Sequence, residues 1–207
     1  MSERLFAIIP AAGHSRRMRQ PKLLLDLGGQ SVLARLLSAL NTIEEIEAVC
    51  LVVRRDDLAL AEVAERGGAT VLRPEHDPPE MRDSVEFALA EIERRFSPQS
   101  DDAWMLIPAD HPLIEPGTLR QIVDAWNSRS ADVLIPTHQE KGGHPTLFRW
   151  STARRIKSIP ANLGINQLME DTSLNVERIE FDAPELLIDL DTPEDYERAV
   201  QWWNHRQ

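Results

Sequence analysis

The sequence predicts an α/β fold, a doubly wound and mostly parallel (mixed) sheet between helices, in three layers. Three observations predict it. Short apolar runs alternate with helical patterns along all 207 residues, the pattern of strand–helix–strand units joined by right-handed crossovers. With 42% hydrophobic and 28% charged residues, a chain of this length can bury one full core. No internal repeat or low-complexity tract interrupts the alternation, so a single domain over residues 1–207 is expected.

Leu5–Ile9 is a buried-strand candidate that ends at Pro10, where a backbone donor is lost. Ser31 is set to cap a helix through Asn41, with Val32, Leu33, Leu36, Leu37 and Leu40 at helical spacing. Val49–Val53 is the second strand. An Ala- and Glu-rich helix follows from about Asp57 to Arg66, and Gly67-Gly68 stops it. Thr70–Leu72 is a short third strand, Ser84–Arg95 a helix, Trp104–Ile107 the fourth strand and Gly117–Asn127 a helix. Val133–Ile135 and Pro145–Phe148 are further strand candidates, with short helical segments at Thr152–Lys157 and Ile165–Glu170. Leu174–Phe181 and Leu186–Ile188 are predicted as late strands, and Thr192 caps a last helix with Pro193 at its first position. The irregular stretch Arg73–Arg82 is expected to be an ordered loop at the sheet edge.

Lys and Arg number 23 against 34 Asp and Glu, a formal net charge of −11. That balance disfavours a nucleic-acid partner, because affinity for phosphate backbones comes from clustered cations. The lone Cys50 leaves no internal disulfide and no Cys-based metal cluster. No apolar run approaches the roughly 20 residues that span a bilayer. The N-terminus lacks the basic start and cleavage site of a signal peptide, so a soluble, cytoplasmic protein without a membrane partner is expected. The acidic total conceals a reversal. Residues 1–35 hold six Lys or Arg against two acids, whereas residues 170–198 hold eleven acids against two arginines.

Sheets of this class bind ligands beyond the C-terminal ends of their strands, near the switch in strand order. The first strand runs into Pro10-Ala11-Ala12-Gly13-His14-Ser15-Arg16-Arg17-Met18-Arg19-Gln20-Pro21-Lys22. Small residues at 11–13 let backbone N–H groups approach a polyphosphate closely. Four cations, Arg16, Arg17, Arg19 and Lys22, can neutralise it. Charge alone equally describes a solvated basic loop; the preceding strand and the small-residue turn favour a binding loop. There is no G-x-x-x-x-G-K-[ST] and no G-x-G-x-x-G, which weighs against a P-loop ATPase and a hydride-transferring Rossmann enzyme.

The fourth strand ends in Pro108-Ala109-Asp110-His111-Pro112. Asp110 is placed to take Mg²⁺ shared with triphosphate oxygens, or to serve as a turn or capping residue. Asp189 and Asp191 would share one face if they lie on a strand. Equally, Thr192-Pro193-Glu194-Asp195 caps the last helix, and both readings can hold.

Together, Ala11-Ala12-Gly13, Arg17-Met18 and Pro21-Lys22-Leu23-Leu24-Leu25 resemble the signature loop of the nucleotidyltransferases that attach a nucleotide to molybdopterin. The pattern is most similar to that of the molybdenum cofactor cytidylyltransferases. Pro108–Ile114 resembles the family's acid-containing motif after its central strand, Asp189–Asp195 its D-x-D-T-P-E-D ending, and Lys141–Phe148 its G-H-P segment. The resemblance implies a Rossmann-like nucleotidyltransferase fold, with the nucleotide on about residues 1–115 and the acceptor on about 116–207. It implies that Ala11, Ala12, Gly13, Ser15 and Ser84 hold a nucleoside triphosphate, with Arg17 and Lys22 as the catalytic cations on its phosphates. Asp110 would hold Mg²⁺, with Asp191 or Asp189 as second ligand, and Gly143, His144 and Pro145 would lie by the acceptor.

The implied reaction is attack of an acceptor phosphate, molybdopterin's, on the α-phosphorus of CTP in preference to GTP, releasing pyrophosphate. Such a transfer needs charge neutralisation and alignment more than a side-chain nucleophile. An acceptor phosphate is already ionised at pH 7, so His111 and His144 receive no proton-transfer role. Three segments depart from the family pattern. Arg19 stands where a Gly is usual, Glu80–Ser84 replaces G-M-x-x-S, and Ala161–Asn166 replaces G-D-x-G-A-R. Those departures keep two alternatives open: a sugar or alditol phosphate as acceptor, or a nucleotide-binding regulatory protein without turnover.

Overall fold

The computed structural model describes residues 3–15, 17–160 and 163–206. Arg16 of the basic loop, and Ala161 and Asn162 of the divergent 161–166 segment, lie outside the described residues. Strands β1 (Leu5–Pro10), β2 (Ile46–Val52), β3 (Thr70–Leu72) and β4 (Ala103–Leu106) pair in parallel in the order β3-β2-β1-β4. Beyond β4, β7 (Thr146–Arg149) runs antiparallel to both β4 and β5 (Val133–His138). The sheet is completed by β6 (Lys141–Gly142), antiparallel to β5, and β8 (Val176–Glu180), parallel to it. The chain moves outward from β1 to β3 and then returns to β1's other side as β4. The switch in strand order therefore falls between β1 and β4, where a doubly wound sheet opens its ligand crevice.

The sheet is buried on both faces. Alternate residues of β1 point to opposite sides, so Ala7 and Ile9 join one apolar cluster while Phe6 and Ile8 join the other. The first cluster takes the inner faces of α1 (Val32–Leu40), α2 (Leu58–Arg66) and α4 (Pro116–Asn127). The second takes α3 (Met81–Phe96) and the short α5 (Ala153–Ile156) and α6 (Gln167–Glu170). Helix starts are set locally. Ser31, Asp57 and Thr192 each accept from the backbone N–H three residues on, heading α1, α2 and α7 (Pro193–His205).

Two expectations change. Leu186–Ile188 is not a strand; Pro184–Leu187 forms a 3₁₀ turn, closed by Leu186 N–H donating to the Ala183 carbonyl. Pro184 has no N–H to give to a ladder, and Leu186 is fully buried within the turn. Asp189 and Asp191 consequently lie on no strand, and their shared face does not arise from strand alternation. Helix α3 also begins at Met81 rather than Ser84. The Asp83 carboxylate accepts from the Glu80 N–H at 3.0 Å, capping a turn that reads by composition as a charged loop.

The last helix is fastened to the segment after the basic loop. Gly28 has φ +65°, and a Cβ there would lie 2.0 Å from Trp203 Nε1. The Arg35 guanidinium stacks 3.5 Å from the Trp203 ring centroid, and the Tyr196 hydroxyl donates to the Asp26 carbonyl. Among the described residues, no helix is long and apolar enough to cross a membrane.

Candidate active site

The first wall of the site is the chain leaving β1. Ala11 N–H donates to the Val52 carbonyl at 2.8 Å, extending the β1–β2 pairing by one residue. Ala11 and Ala12 are buried at 4% and 9% exposure, while Gly13, His14 and Ser15 turn outward, Ser15 with φ +48°. Lys22 opens a 3₁₀ turn, Lys22–Leu24, whose Leu23 is buried in the core beside α1. That anchor brings the ammonium back toward the sheet.

The second wall follows β4. The turn Pro108–His111 is closed by His111 N–H on the Pro108 carbonyl, 3.3 Å. The Asp110 carbonyl in turn accepts from the Leu190 N–H at 3.1 Å. Leu190 is fully buried, so this bond fixes residues 189–191 beside residue 110 although 79–81 positions separate them in sequence. Lys22 Nζ donates to Asp110 Oδ2 at 2.6 Å and to Asp191 Oδ1 at 3.1 Å. Arg17 reaches the other oxygen of Asp191 at 2.9 Å. Two cations from the first strand end thus meet two carboxylates from distant parts of the chain.

Charge states follow from this packing. Burial works against the Lys22 ammonium, but Asp110 and Asp191 outweigh it and hold its pKa above the ordinary lysine value. Burial, then the charges of Asp191, Asp110 and Asp195, push Asp189 above the usual carboxylate range. His144 is lowered by burial to about 4, and burial lowers His111 too. The two rings pack edge to face at 5.0 Å and are uncharged at neutral pH.

A cavity of about 490 Å³ lies between the walls, within the size of small-molecule sites. Ala11, Ala12, Gly13, Ser15, Arg17, Lys22, Ser84, Asp110 and Asp191 all line it, with Pro78–Met81 forming the far rim. The irregular loop is thus a wall of the site as well as a sheet-edge loop. Asp189 sits outside the lining, and so do Gly143, His144 and Pro145. Gly143 instead lies against Leu186, where a Cβ would stand 2.6 Å from the backbone oxygen. Arg82 makes long ion pairs with Asp83 at 3.9 Å and Glu86 at 3.6 Å, while its hydrogen bonds go elsewhere. It turns to the carbonyls of Ile159, Pro160 and Leu163 at 3.2, 2.8 and 3.3 Å. Arg19 adopts φ +55°, the left-handed conformation that its expected Gly would take without strain.

Arg54 joins these residues from a third strand end. It stands two residues past β2 and donates to the Gly13 carbonyl at 3.1 Å. Its signal in the sequence is position: like the β1 loop and Asp110, it follows the C-terminal end of a strand of the parallel sheet.

Fold and site together define an α/β nucleotide-binding domain of the Rossmann-like type, with a cation–carboxylate cluster at its strand-order switch. Residues 7–177 match the MobA-like NTP transferase domain, and the chain belongs to that family. The molybdenum cofactor cytidylyltransferase of Escherichia coli K12 is 26% identical over 197 residues, 94% of either chain. The bifunctional protein GlmU of Leifsonia xyli subsp. xyli is 32% identical over 158 residues, 73% of this chain and 31% of that protein. The chain thus spans about a third of the length of the GlmU relatives it matches. Rv0371c of Mycobacterium tuberculosis H37Rv shares the fold, with TM-score 0.80 at 23% identity over 96% of this chain and 98% of that one. It has also been solved in complex with manganese.

Proposed function

We propose that this protein is a divalent-metal-dependent nucleotidyltransferase that moves a nucleoside monophosphate from CTP, in preference to GTP, to the phosphate of molybdopterin. The observation that carries the reading is the convergence of Lys22, Arg17, Asp110 and Asp191 on one cavity floored by a small-residue loop.

Asp110 and Asp191 suit Mg²⁺, which is held by one or two carboxylates and completes its shell with substrate phosphates. Both carboxylates already approach one positive centre, the Lys22 ammonium. No group of three or more His, Cys, Asp or Glu among the described residues forms an all-protein cage, consistent with a cation shared with the triphosphate. Asp189, the other candidate ligand, lies outside the cavity lining and is a weaker choice. Bound there, Mg²⁺ supplies charge neutralisation and polarises phosphoryl oxygens.

The chain's own residues do the rest. Backbone N–H groups of 12–15 cradle the phosphates, Lys22 and Arg17 offset the charge that grows on the leaving pyrophosphate, and Ser84 and the 78–81 rim enclose the nucleoside. An acceptor phosphate oxygen forms a bond to the α-phosphorus, and the bond from that phosphorus to the bridging oxygen of pyrophosphate breaks. No protein base is required, in keeping with the neutral His111 and His144.

The test is pyrophosphate release on mixing the protein with Mg²⁺, CTP or GTP, and molybdopterin. Release with CTP and molybdopterin supports the reading. Release only with sugar or alditol phosphates replaces the acceptor, and triphosphate binding without release under any pairing overturns the enzyme in favour of a nucleotide-binding regulator.

A further inference from the structure

Arg54 follows β2, outside the cavity lining, yet its guanidinium is spent on the loop and on the helix behind it. Nη1 donates to the Gly13 carbonyl at 3.1 Å, Nη2 to Asp57 at 3.1 Å and Nε to Asp56 at 3.3 Å. Asp57 is itself fixed, because its other oxygen accepts the Leu60 N–H at 3.2 Å as the cap of α2. A rigid helix start therefore holds one planar fork, and the fork holds one peptide group.

That peptide joins Gly13 to His14 and is trans, since the His144–Pro145 bond is the cis bond recorded among the described residues. In a trans peptide the C=O and the following N–H point in opposite directions. Aiming the Gly13 carbonyl at Arg54 aims the His14 N–H away from Arg54. Gly13 and His14 both line the cavity and Arg54 does not. We infer that Arg54 is a positioning residue, which orients the Gly13–His14 peptide so that its N–H, rather than its carbonyl, faces the triphosphate. The inference rests on the reading of the cavity as a triphosphate site. Gly13 makes the device useful: with no Cβ, glycine restricts the torsion that orients this peptide less than any other residue, and Arg54 supplies the missing restraint.

Calorimetric titration with CTP and with inorganic tripolyphosphate in Mg²⁺, and ligand-observed NMR with cytidine, test this on the wild type, Arg54→Ala and Arg54→Lys. Both variants should lose CTP and tripolyphosphate affinity by at least about tenfold, the loss of one hydrogen bond to a charged group. Cytidine affinity should stay within about twofold, and circular dichroism should show both variants folded. Arg54→Lys retaining wild-type tripolyphosphate affinity would overturn the inference, because charge alone would then suffice. A parallel fall in cytidine affinity would overturn it as general damage to the pocket. Failure of the wild type to bind either phosphate ligand removes the triphosphate reading itself, and the inference with it.

Discussion

Replacing Lys22 by Met tests the centre of the site. The ammonium side chain is 15% exposed and its partners Asp110 and Asp191 are 20% and 30% exposed, so solvent screens these contacts only in part. Hydrogen bonds to charged groups contribute about 1.5–3 kcal/mol each. Desolvation of Lys22 offsets some of that, leaving an expected loss of about 2–3 kcal/mol when the ammonium is removed. Arg17 remains on Asp191, but its side chain is 71% exposed and replaces little of this. Among the described residues, Asp110 then keeps the neutral His111 beside it.

For a chain of this size the loss corresponds to a fall in Tm of roughly 4–12 °C. Urea and thermal unfolding in EDTA measure it, and added Mg²⁺ should restore part of it by occupying the bared carboxylates. The sign with pH is fixed. The folded pKa of Lys22 is raised above 10.5, so its contribution is full below that value and is lost as pH rises through the folded pKa. The gap between wild type and variant should therefore hold at neutral pH and close only in strong alkali. Nucleotidyl transfer should fall by at least about 100-fold, the scale of removing one charge-stabilising donor. Wild-type stability in EDTA together with transfer within threefold of wild type would refute this account of the site.

Asp189→Asn should raise Tm at pH 7, because the folded protein holds that carboxyl above its ordinary value of 3.8 and so disfavours its charge. The gain should shrink as pH falls toward 3.8, and a gain independent of pH would refute the electrostatic cause. Arg82→Ala strips three carbonyls of their donor and should cost about 1–3 kcal/mol, with faster amide exchange in and around residues 159–164; unchanged exchange there would count against it. Gly28→Ala places a methyl on Trp203 at φ +65° and should cost about 1–3 kcal/mol, read as a fall in Tm with changed Trp fluorescence.

Much of this molecule is legible in one dimension. The strands β1–β4 and helices α1, α2, α4 and α7 follow from apolar periodicity, and α1, α2 and α7 also from side-chain caps, which act over three or four residues. The phosphate loop is legible for the same reason, since Ala11–Gly13 and Lys22 are close in sequence and their sizes and charges carry the message. Local signals mislead where neighbours in space decide. Leu186–Ile188 has a strand's composition, but Pro184 and the burial of Leu186 turn it into a 3₁₀ turn. Arg82 stands beside Asp83 and Glu86 in long ion pairs, yet its hydrogen bonds go to three carbonyls more than seventy residues away.

The sequence by itself determined the fold class, the family and the two sets of charges, one basic near the start and one acidic near the end. It could not say that these sets touch. The hydrogen bond from Leu190 to the Asp110 carbonyl, the anchoring of α7 over Gly28, and the grip of Arg54 on Gly13 are contacts between remote segments. Only the closed sheet brings them within bonding distance, and so only the tertiary structure selects Asp191 over Asp189 as the partner of Lys22.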